Sequence, residues 1–243
     1  MRIKLTVSYD GTDYCGWQVQ PNGVTIQELL EQALFNVTGE KVRITGSGRT
    51  DSGVHAKGQV AHFDTNSSVP AEKFSKALNA HLPSGIKVLS SEEVGEDFHA
   101  CTSVKKKTYE YSLYVSETEQ PLKERYAVRL DHAPDLEKMI DGAKVLFGEH
   151  DFKAFCASGS GAKTTVRKIY SIDIKKKDGD ITVSVCGNGF LYNMVRIIVG
   201  ALIDVGNGKK TKAELEEILK SGKREKNGKT LPAKGLCLVS AEY

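Results

Sequence analysis

Residues 42–65 read VRITGSGRTDSGVHAKGQVAHFDT. Two runs rich in β-branched and apolar residues, 42–45 and 58–65, flank a loop of glycines and hydroxyl side chains, which predicts two successive strands. What lies on either side decides the fold. Upstream, RIKLTVSY (2–9) alternates as a strand and closes on the turn pair Asp10-Gly11. Between it and the first of the paired strands, Thr25 and Glu28 form a capping box. They open TIQELLEQALFNVTG, whose Ile26, Leu29, Leu30, Ala33, Leu34 and Val37 keep helical spacing up to Gly39. Downstream, Pro70 opens a second helix, 70–82, which Pro83 stops, and IKVLSSEEV (86–94) supplies a last strand. The order β-α-β-β-α-β is that of ferredoxin-like folds.

The second half repeats this order. KTYEYSLYV (107–115) reads as a strand and DLEKMIDGAKVLFG (135–148) as a helix. Residues 168–187 form a hairpin turning at Asp178-Gly179. Helices follow at 190–206 and 211–222, and LCLVSAEY (236–243) closes the chain as a strand. We therefore expect an α+β protein of two ferredoxin-like halves, 1–100 and 101–243, with antiparallel or mixed sheets meeting at a central cleft.

Composition narrows the class. The 243 residues are 40% hydrophobic and 27% charged, ordinary for a globular protein able to bury a core without staples. Five cysteines, Cys15, Cys101, Cys156, Cys186 and Cys237, are never spaced as C-x-x-C, which argues against a disulfide framework or zinc cluster and for a reducing compartment. The N-terminus lacks the apolar core of a signal peptide, and the run MVRIIVGALIDVG (194–206) is too short to span a bilayer. A cytoplasmic protein without membrane contact is expected. Net charge is only +3, but residues 1–100 carry 9 basic against 12 acidic side chains, and the remainder 25 against 19. Lysine runs at 105–107, 175–177 and 209–210 contribute to that excess and permit a polyanionic partner.

The loop GSGRTDSG (46–53) places Arg49 and Asp51 two residues apart. No phosphate-binding G-x-x-x-x-G-K-[ST] is present, and Asp51 stands where the dinucleotide fingerprint needs its third glycine. A metal site drawn from Asp51, His55, His62 and Asp64 has no regular period to bring its ligands to one face. Two readings of Asp51 stay even on spacing alone. One is a catalytic carboxylate held ionised by the nearby arginine, and the other is a loop aspartate capping its own turn.

A resemblance separates them. YDGTDYCGWQVQ (9–20), GSGRTDSGVHAKGQVAHF (46–63), FHA with KTYEY (98–111), HDFKAF (150–155), GFLYNMVRIIVGALIDVG (189–206) and AKGLCLVSAEY (233–243) are similar, in order, to the signature blocks of the TruA family of tRNA pseudouridine synthases. The resemblance covers essentially the whole chain. It implies isomerisation of uridine to pseudouridine at positions 38, 39 and 40 of the tRNA anticodon stem-loop, on a flipped nucleotide, without a cofactor or metal.

Carried over, it makes Asp51 the nucleophile or base and Arg49 and Arg196 its catalytic companions, with Arg196 pairing with Asp51. Tyr109 would stack on the uracil, and Leu236 would lie near its pocket. Gln18, beside Trp17, would shape the neighbouring loop. Cys101 stands where relatives often carry arginine, so Lys105 or Lys106 would supply that RNA contact. The family is homodimeric with basic clefts that embrace tRNA. The rival readings are an inactive RNA-binding protein on the same scaffold and a metal-dependent hydrolase using His55 and His62.

Overall fold

The structure, a computed structural model, describes residues 1–243 apart from the side chain of Glu225. The chain forms two compact units, Met1–Lys105 with Cys237–Tyr243, and Lys106–Leu236.

The first unit contains β1 (Arg2–Tyr9), α1 (Ile26–Thr38), β2 (Thr45–Gly46), β3 (His55–Asp64), α2 (Phe74–Asn79) and β4 (Ile86–Val94). β1 lies between β4 and β3, antiparallel to both, and β2 pairs antiparallel with β3. The resulting order β4-β1-β3-β2 is the predicted ferredoxin-like arrangement. Alternation along β1 buries Ile3, Leu5, Val7 and Tyr9. The helices bring Ile26, Leu30, Leu34, Phe74 and Leu78 into the core, and Phe74 meets Phe63 edge-on at 5.4 Å. Thr25 caps α1 by accepting from the Glu28 amide, and Gly39 ends it at φ 72°.

Two elements differ from expectation. β2 is two residues rather than the four of 42–45, because side chains of α1 occupy the backbone groups before it. Glu31 Oε1 accepts from the Ile44 amide at 2.9 Å, and Gln27 Nε2 donates to the Ile44 carbonyl at 3.1 Å. The helix expected over 70–82 is a 3₁₀ turn at Ala71–Lys73 followed by the six residues of α2.

The unit also recruits the end of the chain. β10 (Leu236–Glu242) runs parallel to β3, with Cys237 opposite His55 and Leu238 opposite Ala56. The Tyr243 hydroxyl donates to the Ala100 carbonyl at 2.7 Å. The half drawn as 101–243 thus gives its last strand to the first unit: β3 has an unpaired edge beyond β2, and Leu238, fully buried, completes the core beside it.

The second unit holds β5 (Lys106–Val115), α3 (Pro121–Glu124), β6 (Val128–Leu130), α4 (Leu136–Ala143), β7 (Gly148–Asp151), β8 (Val166–Lys177), β9 (Asp180–Gly187), α5 (Met194–Gly206) and α6 (Lys212–Ser221). β9 is antiparallel to β5 and to β8, β7 extends the β8 edge, and β6 runs parallel to β5. The β8–β9 hairpin turns through Asp178 at φ 51° and Gly179 at φ 86°, the pair of positive angles its two-residue turn requires. α5 begins at Met194, not 190, because Asn193 is left-handed at φ 60° and breaks the helical path. Every residue of α5 except Arg196 and Asp204 is buried.

Candidate active site

The loop between β2 and β3 is held from beneath by its own hydrogen bonds. The Ser47 amide donates to the Val60 carbonyl at 2.7 Å, and its hydroxyl donates to Gln59 Oε1 at 2.6 Å. Gln59, fully buried, returns a bond from Nε2 to the Gly48 carbonyl at 2.8 Å. Thr50 is buried, its hydroxyl 2.8 Å from the Tyr9 hydroxyl, and the Val54 amide donates to the Asp51 carbonyl.

The segment 9–20 clamps the loop from the other side. The Trp17 amide donates to the Thr50 carbonyl at 3.0 Å. Gly16, at φ 80°, packs so close that a Cβ there would stand 2.6 Å from the Thr50 oxygen and 3.0 Å from the Asp51 carbonyl carbon. Gly46 does the same for the Trp17 ring, where a Cβ would meet indole atoms at 2.7 Å. Gly16 therefore lets two backbones approach and Gly46 makes room for the indole, which together hold Asp51 at one place.

Asp51 itself is half-buried, and Gln18 is half-buried on the clamping segment. Arg49 is exposed and has no ion-pair or hydrogen-bond partner among the described residues, so its charge is open to solvent. His55 Nδ1 accepts from the Gly11 amide at 3.0 Å, and Asp10 lies 3.2 Å from the same atom. His62 Nδ1 accepts from the Ala100 amide at 3.2 Å. Burial, then the adjacent His99 and Arg2, pushes the His62 pKa below its usual 6.5. In each histidine named in the hydrolase reading, Nδ1 thus faces a backbone amide. Lys105 also belongs to this unit, where its amide donates to the Glu242 carbonyl, and Cys101 is exposed.

The second unit carries the remaining residues. Tyr109, 8% exposed, stands opposite Val185 in the β5–β9 register and meets the Phe190 ring edge-on at 5.2 Å. Arg196 is half-buried on α5. Its Nε donates to the Leu231 carbonyl at 2.6 Å and its Nη1 to Asn193 Oδ1 at 2.6 Å. Two neutral oxygens thus help to direct the guanidinium, and the left-handed Asn193 that delays α5 supplies one of them. Tyr111, fully buried, donates to the Pro232 carbonyl at 2.6 Å. Burial raises its pKa, and the Arg196 charge partly offsets that. Leu236 is buried, just beyond Gly235, whose α-carbon lies against the Tyr111 ring. Lys106 opens β5.

Sequence reasoning missed Tyr9, Gly16, Thr50 and Gln59 as supports of the loop. Gln59 had a weak signal, an amide side chain set between Gly58 and the apolar Val60-Ala61 within the strand. The contacts of Tyr9 and Gly16 with residues 50–51 had none.

The profile of the tRNA pseudouridine synthase family matches residues 5–102 and 143–243, which include Gln18, Arg49, Asp51, Arg196 and Leu236. The chain is 47% identical over 241 residues to tRNA pseudouridine synthase A of Acetivibrio thermocellus, covering 99% of each. It is 48% identical over 241 residues to tRNA pseudouridine synthase A 2 of Clostridium perfringens, again covering 99% of each. These longer alignments also span Tyr109, Lys105 and Lys106, which the profile leaves out. The chain belongs to the tRNA pseudouridine synthase family. Among solved structures, it overlays the archaeal box H/ACA sRNP Nop10-Cbf5 complex with a TM-score of 0.37 at 12% identity, covering 95% of this chain and 58% of that one.

Proposed function

We propose that the protein converts uridine to pseudouridine at positions 38, 39 and 40 of the tRNA anticodon stem-loop, with Asp51 as the nucleophile or base. The reaction is an isomerisation. The N1–C1′ bond breaks, the uracil turns, and C5 bonds to C1′. The proton lost from C5 is matched by the one N1 gains, so no redox partner or water is consumed. Attack on C1′, attack on C6 and removal of the 2′ proton all begin from an ionised carboxylate, which is the group Asp51 offers.

The observation that carries the reading is the doubly clamped loop. It presents one half-buried carboxylate at a fixed place, within the segment that matches the family profile. An exposed Arg49 suits phosphate or the gap left by a flipped base, since extrusion is how enzymes usually reach such an atom. Tyr109 would stack on the uracil, a contact worth about 1–3 kcal/mol, with Leu236 beside it. Arg196 would stabilise the Asp51 carboxylate, Gln18 would shape the adjoining loop, and Lys105 and Lys106 would bind phosphate. tRNA is the partner, the working form is a homodimer, and the setting is the cytoplasm.

The deciding experiment incubates the protein with unmodified tRNA and maps pseudouridine after chemical derivatisation. Asp51→Asn keeps the shape and removes both nucleophilicity and basicity. It should bind tRNA within a few-fold of the unaltered protein and form no product in a single turnover with excess enzyme. Retention of even a tenth of the rate would remove Asp51 from the chemistry. For the dimer, sedimentation should give a particle near twice 26.6 kDa, and a monomer at micromolar concentration would refute it.

A further inference from the structure

The strands of the second unit carry an exposed aromatic ring attended by two ammonium groups. Tyr170, on β8, is 42% exposed. It sits where the β8–β9 register slips between Ile169 and Ser171, an irregularity of the kind that re-aims a side chain. Lys106 Nζ lies 5.9 Å from the centre of the Tyr170 ring, and Lys168 Nζ lies 5.8 Å from it. Lys106 comes from the start of β5 and Lys168 from two residues earlier on β8, so two strands converge on one ring. Lys168 has no carboxylate partner among the described residues, although Glu149 stands opposite it in the β7–β8 register.

Packing does not account for this group. Tyr170 is well exposed, and cation–π contacts between exposed groups are weak and exchangeable. An aromatic face beside ammonium groups is the pairing that holds unstacked nucleotides, with the ring taking a base of any identity and the charges taking the flanking phosphates.

We propose that Lys106, Tyr170 and Lys168 form an RNA contact in addition to the one at the reacting uridine. An unpaired base of the tRNA would lie on Tyr170, and Lys106 and Lys168 would hold its phosphates. This rests on tRNA being the substrate and extends that reading from the reacting nucleotide to the grip on the rest of the molecule.

The test measures the affinity of the full-length protein for an unmodified tRNA transcript by fluorescence anisotropy across a series of salt concentrations. Tyr170→Ala should weaken binding about tenfold, as loss of one stacked base does. Tyr170→Phe, which keeps the ring, should bind like the unaltered protein. Lys168→Ala should lower the slope of log affinity against log salt by about one, the signature of one lost phosphate contact. Unchanged affinity in Tyr170→Ala would overturn the proposal, as would equal losses in the Ala and Phe variants, which would trace the effect to the hydroxyl. A parallel assay maps pseudouridine made by the unaltered protein. Weakened binding by Tyr170→Ala alongside no product from the unaltered protein would support this contact while refuting the proposed reaction.

Discussion

At Gly16 a missing side chain decides where a carboxylate stands. Its φ of 80° is a left-handed angle, and the space a Cβ would fill is already taken by the Thr50 carbonyl. Gly16→Ala should therefore cost at least about 1–2 kcal/mol from backbone handedness alone. It should also displace residues 50–52, so pseudouridine formation should fall further than the drop in stability accounts for. Comparing the urea midpoint with the single-turnover rate separates the two effects, and a variant with a normal rate would show that the clamp is dispensable. Spacing left a catalytic and a turn-capping reading of Asp51 even, and the sequence singles out Asp51 and Arg49 through the family resemblance of the block that carries them. Gly16, Thr50 and Tyr9 were not legible there. Their roles depend on two segments some 35 to 40 residues apart in sequence meeting, and no local pattern announces that contact.

Among the elements, α1 does more than bury an apolar stripe. Gln27, 3% exposed, ties the helix to the approach to β2 through the Ile44 carbonyl, and its Oε1 accepts from the Val19 amide at 3.3 Å. One side chain thus braces both the clamping segment and the strand that leads into the loop of Asp51. Gln27→Leu fits the volume but leaves those backbone groups without their partner, a loss of about 1–3 kcal/mol. A thermal melt should show that loss, and an unchanged midpoint would mean that water substitutes for the amide. The helix itself was readable from its capping box and spacing. The shortness of β2 was not, since 42–45 have strand composition and only the polar atoms of Gln27 and Glu31 reveal that the backbone groups of Ile44 are already satisfied. The late start of α5 was hidden for a similar reason. FLYN looks compatible with a helix, and only the left-handed Asn193 shows where the helix begins.

For the whole molecule, the repeated element order made the α+β architecture legible, while the destination of β10 was not. A terminal strand pattern does not state which edge it will join. The seven residues Cys237–Tyr243 belong to the first unit, so their removal should harm that unit although they are remote from it in sequence. Deleting 237–243 removes the buried Leu238, the pairing along His55 and Ala56, and the Tyr243 bond to Ala100. Amide hydrogens of β3 should then exchange much faster, and unchanged protection there would mean that the unit holds without its last strand. The same placement sets a clock during synthesis. About 130 residues separate Lys105 from Cys237, and at ribosomal speeds of about 5–20 residues per second that interval lasts about 7–26 seconds. Throughout it the newborn N-terminal sheet displays the edge of β3 at His55 and Ala56 that β10 later covers, a bare edge of the kind that invites pairing with another chain.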